Sequence, residues 1–109
     1  MLTERETLPV ADARAGNASS WETLFRRYQL PLYAYVFELV RQPEASLDIV
    51  QETFISAVRH IGGLHEDEKF GSWLFAIGHQ KCVQRWRRAG QEASSSSHSP
   101  REMNRDARL

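Results

Sequence analysis

The sequence DIVQETF, residues 48–54, decides the fold because its apolar spacing is that of a helix. At about 100° per residue, the predicted helix from about Pro43 to Ile61 turns one side to the core. We predict that this side carries Leu47, Val50, Phe54, Ala57, Val58 and Ile61. The opposite side carries Asp48, Gln51, Glu52 and Ile55. This side is either a solvated face with one exposed isoleucine, which is common, or a docking surface with an apolar anchor.

The same helical spacing extends over the rest of the chain and predicts an all-α fold, a small bundle of about four helices. A short first helix falls within residues 8–17 and stops at Gly16 and Asn17. A long second helix follows, which Pro31 should kink. Its predicted buried stripe consists of Trp21, Leu24, Phe25, Tyr28, Leu32, Tyr35, Val36 and Leu39. The fourth helix runs from about Phe70 to Ala89. Residues 1–90 should therefore form the domain, and the Ser-rich residues 91–109 a disordered tail or linker.

The composition limits the classes of function. The 109 residues, 41% of them apolar, suffice for one small domain, and the net charge is zero. The only cysteine, Cys82, excludes an intramolecular disulfide and a cysteine-based metal site, so a cytoplasmic location is expected. The charged N-terminus does not resemble a signal peptide. No apolar run approaches the length of a membrane span, so none is expected.

No pattern of catalytic or cofactor-binding residues is present. The four histidines are scattered, and His65 with the acids at residues 66–68 is better explained as a solvated loop than as a cation site. Cys82 has apolar neighbours and should be a small core residue. There is no glycine-rich phosphate loop. We therefore expect no enzymatic activity, no metal and no cofactor.

The fourth predicted helix changes character along its length. Residues 70–80 are apolar nearly all round, whereas residues 73–90 contain four cations and no acid. In the second half, Cys82, Val83 and Trp86 are predicted to face inward. The outward set is Gln80, Lys81, Gln84, Arg85, Arg87 and Arg88. Cations near a helix C-terminus compensate the helix dipole, but Lys and Arg also attract phosphates and Gln can bond base edges. Both explanations stay open at this point.

The order of the segments resembles region 2 of the bacterial sigma-70 family, most closely its extracytoplasmic-function (ECF) group. The matching segments are FRRYQLPLYAYVFELV at 25–40, DIVQETFISAVRHI at 48–61, EKFGSWLFAIGHQ at 68–80 and an Arg-rich helix end. The resemblance spans roughly residues 8–90. It implies a cytoplasmic domain that binds the clamp helices of the RNA polymerase β′ subunit. It also implies recognition and melting of the promoter −10 element.

The resemblance also implies roles for particular residues. Asp48, Gln51 and Glu52, with Ile55 beside them, would contact the clamp helices of the RNA polymerase core. The loop at residues 62–69, with His65 and Lys69, would capture a base flipped out of the non-template strand. The −10 DNA would follow the last helix, along Gln80, Lys81, Gln84, Arg85, Arg87 and Arg88. An anti-sigma protein is a further implied partner.

Departures from the family pattern favour an alternative. Where the family has W-L-Y-R-I-A-R-N, this chain has W-L-F-A-I-G-H-Q, so two expected cations are Ala76 and His79. The loop at residues 65–69 is acidic. The 109 residues show no pattern of a region 4 helix-turn-helix. The missing cations and the acidic loop favour a sigma-like decoy that binds an anti-sigma protein without directing transcription. The retained DIVQE favours an initiation factor. A plain helical adaptor is a third hypothesis.

Overall fold

The structure, a computed structural model of the protein, describes residues 8–93, with side chains for residues 8–90. The described residues form helices and no strand: α1 is Val10–Arg14, α2 is Ala18–Val40, α3 is Pro43–His60 and α4 is Phe70–Ala93. The α3–α4 loop, residues 61–69, contains two 3₁₀ turns, Ile61–Gly63 and Asp67–Lys69. The predicted all-α bundle is confirmed. Helix α4 ends four residues later than predicted, and most of the predicted tail, residues 94–109, lies outside the described residues.

Local signals in the sequence set the helix ends. The side chain of Asn17 caps α2 by accepting a hydrogen bond from the Ser20 amide at 2.9 Å. Gly16 adopts a φ of 98°, a left-handed conformation that favours glycine and ends α1. Arg41 closes α2 with a φ of 63°, and Pro43 opens α3, where its missing N–H costs nothing. Pro31 lies inside α2, which continues on both sides of it.

The core forms where α2, α3 and α4 pack together. Its fully buried side chains include Leu24, Leu32, Ile49, Phe70 and Leu74. Helix α4 packs tightly against α2 and α3 at Gly78, where an added Cβ would lie 3.0 Å from Leu32 Cδ1 and 3.5 Å from Thr53 Oγ1. A side chain at this position would require the Leu32 side chain to shift. Gly78 therefore fixes how closely α4 packs against the other two helices.

The buried side of α3 is rotated from the predicted one. It consists of Ala45, Ser46, Ile49, Val50, Thr53, Phe54 and Ala57. The prediction was wrong for Leu47 and Val58, which are 54% and 51% exposed. Ser46 and Thr53 are buried instead, and each hydroxyl donates to the carbonyl four residues earlier at 2.7 Å. Because this bond satisfies the hydroxyl, a small polar residue can occupy the closest contact between helices.

Several aromatic residues are less buried than predicted, and Trp21, Tyr28 and Tyr35 of the predicted α2 stripe are only partly buried. Phe25 is 37% exposed at the edge of the core, where its ring packs edge-on against Phe54 with 4.9 Å between centroids. Trp73 is only partly buried. Trp86, predicted to face inward, is 45% exposed. Helices α2 and α4 run side by side, with Tyr35 beside residues 75 and 79. Helix α2 has five residues after Tyr35 and therefore ends beside about residue 84 of α4. It does not reach far enough to cover Trp86.

Candidate functional site

The outward face of α3 carries polar side chains that have no partner in the described part of the chain. Asp48, Gln51 and Glu52 are exposed, as predicted. None of the three makes a side-chain hydrogen bond or ion pair with another described residue. Ile55 lies among them and is 54% exposed. Carboxylates on a solvated helix often pair with a cation one turn away, so an unpaired group beside an exposed isoleucine indicates a surface that is available to a partner.

An apolar stripe runs along this face on the side towards α2. Leu47, Gln51, Ile55 and Val58 follow one another at helical spacing and therefore form a single row. Leu30 on α2, 71% exposed, extends the apolar surface. Of the six large apolar residues exposed in the described chain, five belong to α2 or α3: Phe25, Leu30, Leu47, Ile55 and Val58. Apolar residues that cluster in this way mark interaction sites. From the sequence, only Ile55 was predicted to be an exposed apolar residue of α3, because Leu47 and Val58 were assigned to the core.

A groove between α2 and α3 adjoins the stripe. Its volume is about 460 Å³. It is lined by Phe25, Gln29, Leu30, Tyr33, Leu47, Val50 and Gln51. Most of these side chains are apolar, and the two amides lie in the groove beside them. The groove is therefore suited to apolar side chains from a partner, with amide groups to orient them.

The acidic side of the α3 face lies towards α4. A second groove, of about 430 Å³, is lined there by Gln42, Pro43, Glu44, Ala45, Asp48 and Arg85. Two carboxylates and one guanidinium thus share the groove. Arg85 was predicted to bind DNA, but the nearby carboxylates of Glu44 and Asp48 compete with phosphates for its charge. Among the predicted DNA-binding cations, we therefore expect Arg85 to contribute less than Lys81 or Arg88.

A third groove, of about 300 Å³, lies between the C-terminal part of α3 and the middle of α4. It is lined by Ser56, His60, Trp73, Ile77, Gln80, Lys81 and Gln84. Three residues predicted to contact DNA, Gln80, Lys81 and Gln84, are thus brought together. Their side chains have no hydrogen-bond partner in the described residues. An indole edge, two amides and an ammonium group in one groove can contact a base and its phosphate. The sequence did not indicate Ser56, His60 or Ile77.

The other predicted DNA-binding residues lie apart from this groove. His65 and Lys69 are exposed in the α3–α4 loop, and Lys69 Nζ lies 3.3 Å from Glu66 Oε1. Arg88 is exposed near the end of α4, and Arg87 is partly buried. The loop and the helix end therefore flank the groove and do not form part of it.

Two further predicted features concern chemistry. His79, in place of a family cation, shares a hydrogen bond with the Tyr35 hydroxyl at 2.9 Å and so ties α4 to α2. Cys82 is fully buried as predicted, and burial raises the pKa of its thiol. Residues 8–93 contain no cluster of three or more His, Cys, Asp or Glu that could hold a metal ion. Within the same residues, no helix is long and apolar enough to cross a bilayer.

Comparison with known families gives a match over most of the chain. The family described as sigma-70 region 2 matches residues 24–92. This range contains most of α2, all of α3 and the α3–α4 loop, and nearly all of α4, and so includes the three grooves described above. No solved structure is significantly similar to the chain.

Several curated proteins are similar to the chain. The ECF RNA polymerase sigma factor BldN of Streptomyces coelicolor is 33% identical over 62% of this chain and 26% of its own. The RNA polymerase sigma-H factor of Pseudomonas aeruginosa is 27% identical over 71% of this chain and 40% of its own. The ECF RNA polymerase sigma factor SigM of Mycobacterium tuberculosis is 33% identical over 69% of this chain and 38% of its own. The chain thus spans well under half the length of these relatives.

Proposed function

Because the chain belongs to the sigma-70 region 2 family and resembles its ECF group, we propose that it binds RNA polymerase and promoter DNA in transcription initiation. The observation that carries the proposal is the outward face of α3, with unpaired polar groups beside clustered apolar residues. Members of this family are initiation factors and not enzymes, so the chain is not an enzyme either.

The proposed partner of this face is the pair of clamp helices of the polymerase β′ subunit. A helix laid along α3 would place apolar side chains in the α2–α3 groove, against Leu30 and Leu47. Ile55 would be covered at the centre of the contact. Asp48 and Glu52 would accept hydrogen bonds from basic groups of the partner, because carboxylates form their strongest hydrogen bonds with cations. The apolar row supports the affinity of this contact, and the two acids support its orientation.

The proposed DNA site is the groove between α3 and α4. Gln80 and Gln84 lie one helical turn apart and can bond base edges, while Lys81 between them can bond a phosphate. Trp73 forms part of the wall and offers a ring against which an unpaired base can pack. The α3–α4 loop, with His65 and Lys69, would capture a base flipped out of the strand, and Arg87 and Arg88 at the helix end would contact its phosphates. Arg85 joins this set more weakly, because Glu44 and Asp48 share its groove.

A sigma-like decoy is the second candidate function. An anti-sigma protein could occupy the same α3 face, because apolar residues flanked by carboxylates suit any basic amphipathic helix. The replacement of two family cations by Ala76 and His79 supports this alternative, since the His79 ring is engaged with Tyr35. The negative charge of the α3–α4 loop is partly compensated, because Lys69 lies within ion-pair distance of Glu66. This compensation argues against the decoy. The two candidates differ in one property, since only an initiation factor needs to bind single-stranded promoter DNA.

The first experiment measures binding of a clamp-helix fragment of β′ to the full chain. The variant Asp48→Ala/Gln51→Ala/Glu52→Ala should bind at least about tenfold more weakly, because charge-assisted hydrogen bonds contribute ~1.5–3 kcal/mol each. Its circular dichroism should be unchanged. Glu22→Ala/Glu38→Ala is the charge-matched control, since both side chains are exposed on α2. An equal loss of binding in the control and the variant would mean that the effect arises from net charge alone. Unchanged binding of both would contradict the proposal.

The second experiment compares single-stranded with duplex −10 oligonucleotides by fluorescence anisotropy over a series of salt concentrations. Single strands should bind more tightly, because a base within a duplex must first unstack at a cost of roughly a few kcal/mol. Arg88→Ala should flatten the log–log salt slope by about 0.7, the contribution of one phosphate on a single strand. Gln80→Ala should leave the slope unchanged and alter base preference. Equal affinity for the two forms of DNA would favour the decoy.

A further inference from the structure

Helix α1 is joined to the α3–α4 loop through one arginine. Arg14, the last residue of α1, donates from Nη2 to the Leu64 carbonyl at 3.1 Å and to Asp67 Oδ1 at 2.6 Å. The contacts span 50 and 53 residues of sequence. Leu64 is buried, whereas Asp67 is half-exposed. The guanidinium therefore binds both an inner and an outer point of the loop.

The other end of this connection is also fixed. The indole N–H of Trp21 on α2 donates to the Ala13 carbonyl at 2.9 Å, directly before Arg14. The Trp21 ring packs beside Phe70, the first residue of α4, with 6.2 Å between centroids. A five-residue helix has little stability of its own. Its position is therefore determined by these contacts and by the burial of Val10 and Ala13 in the core, and Arg14 transmits that position to the loop.

The loop has few other restraints between Leu64 and Phe70. Residues 65–69 are all exposed, and the remaining bonds within the loop are local, such as the Lys69 amide to the Glu66 carbonyl at 3.0 Å. Among the described residues outside the loop, Arg14 on α1 and Ser72 on α4 donate side-chain hydrogen bonds to it. The Ser72 bond, to the Lys69 carbonyl at 3.3 Å, lies at the junction of the loop with α4, whereas Arg14 reaches the loop from a distant part of the sequence. Removing Arg14 should therefore release the loop and leave the three-helix core in place.

We propose that Arg14 is a positioning residue that holds the α3–α4 loop in the conformation that discriminates among unpaired bases. This inference rests on the proposed function, in which the loop captures a flipped base of the single strand. Arg14 does not itself contact DNA in this proposal. It acts through Leu64 and Asp67, and its loss should lower the selectivity among bases more than the overall affinity.

A purely electrostatic role makes a different prediction, and the ion pair separates the two. Arg14→Gln removes a cation and Asp67→Ala removes an anion, so charge alone would weaken DNA binding in the first and strengthen it in the second. Neither change would then affect the preference among bases. If Arg14 positions the loop, both variants lose selectivity, although their affinities move in opposite directions. Arg14→Lys should retain the selectivity of the wild type. A single nitrogen of Arg14 makes both hydrogen bonds to the loop, and a lysine ammonium group can replace it.

The experiment uses the full 109-residue chain and single-stranded −10 oligonucleotides that carry each of the four bases at the flipped position. Fluorescence anisotropy gives the ratio of affinities for the best and worst base. We expect this ratio to fall about three- to tenfold in Arg14→Gln and Asp67→Ala, the range for the net contribution of one ordinary hydrogen bond. Hydrogen exchange at the amides of Leu64 and Lys69 should be faster in both variants, and binding of the β′ fragment should be unchanged.

The outcomes distinguish this proposal from the proposed function. A wild-type chain that does not bind the single strands would overturn the DNA-binding function and this inference with it. Binding without any preference among bases would overturn this inference alone. A wild-type preference that Arg14→Gln retains would overturn the positioning role alone. Faster exchange without loss of selectivity would do the same, because the loop would then be mobile but not responsible for discrimination. Loss of selectivity in both variants with recovery in Arg14→Lys would support the proposal.

Discussion

Replacement of Ile55 by alanine tests whether the outward face of α3 is an interface. Complete burial of an isoleucine side chain is worth ~1.5–3 kcal/mol. Ile55 is 54% exposed in the isolated domain. A partner that covers it therefore gains about half of this free energy, roughly 0.8–1.6 kcal/mol. Ile55→Ala should lose most of that gain and weaken binding of the β′ clamp-helix fragment by about 4- to 15-fold.

The same substitution should have little effect on the fold. The exposed half of Ile55 contributes nothing to folding, so the free energy of unfolding should fall by about 1 kcal/mol or less. In a domain of this size, such a loss lowers Tm by at most roughly 4–8 °C. Trp86→Ala is the matched control, because Trp86 is 45% exposed and is the one large exposed apolar residue of the described chain that lies on α4. A weaker interaction in Ile55→Ala and an unchanged one in Trp86→Ala would locate the interface.

Isothermal titration calorimetry of the full chain with the clamp-helix fragment gives the affinity, and thermal melting followed by circular dichroism gives the stability. The reasoning would be refuted if Ile55→Ala bound within twofold of the wild type. It would also be refuted if Trp86→Ala weakened binding equally, since exposed apolar area anywhere on the domain would then suffice. A large loss of stability in Ile55→Ala would contradict its exposed position.

Further predictions concern the core. Phe54→Ala should destabilise the domain by about 3–5 kcal/mol in urea denaturation, whereas the partly buried Trp73 should cost less; equal losses would contradict the observed burial. Gly78→Ala should destabilise by about 1–3 kcal/mol, because its Cβ would lie 3.0 Å from Leu32; a more stable variant would show that the helices can separate. Burial raises the pKa of the Cys82 thiol. The contribution of this thiol to the free energy of unfolding should therefore be complete below the ordinary thiol pKa and should decrease as the pH rises above that value. Iodoacetamide should label the native thiol slowly near neutral pH, and rapid labelling would contradict its burial.

The ends of the helices could be predicted because their causes are local in sequence. Asn17 caps a helix by bonding an amide three residues away, and Gly16 adopts a backbone conformation that other residues avoid. Pro43 needs no tertiary contact to favour the first turn of α3. Short-range chemistry of this kind can be read from the sequence, so the number and order of the helices were predicted correctly. The end of α4 was predicted four residues early, because residues 91–109 read as one polar, Ser-rich segment although Gln, Glu and Ala at 91–93 are good helix formers.

The buried face of α3 could not be predicted, because it depends on another helix. A helical wheel weights Leu47 and Val58 as core residues and Ser46 and Thr53 as surface residues. Thr53 is buried because Gly78, 25 positions later, allows α4 to approach it. The grooves follow the same logic, since each is lined by side chains from two helices. The contact of Arg14 with Asp67 crosses 53 residues and has no signal in the sequence.

Helix α3 relates the two proposed interfaces to each other. Its N-terminal half presents Asp48 and Gln51 outward, and Ser56 and His60 in its C-terminal half line the groove that contains Gln80. Along the helix axis, the residues of the two regions lie about 8–18 Å apart. An 18-residue helix packed on two sides against α2 and α4 is a rigid connection. On the proposed assignment, the position of the clamp helices therefore fixes the position of the DNA groove, and no movement within the domain is needed to align them. The α3–α4 loop lacks this rigid support, which is why its attachment through Arg14 matters for discrimination among bases.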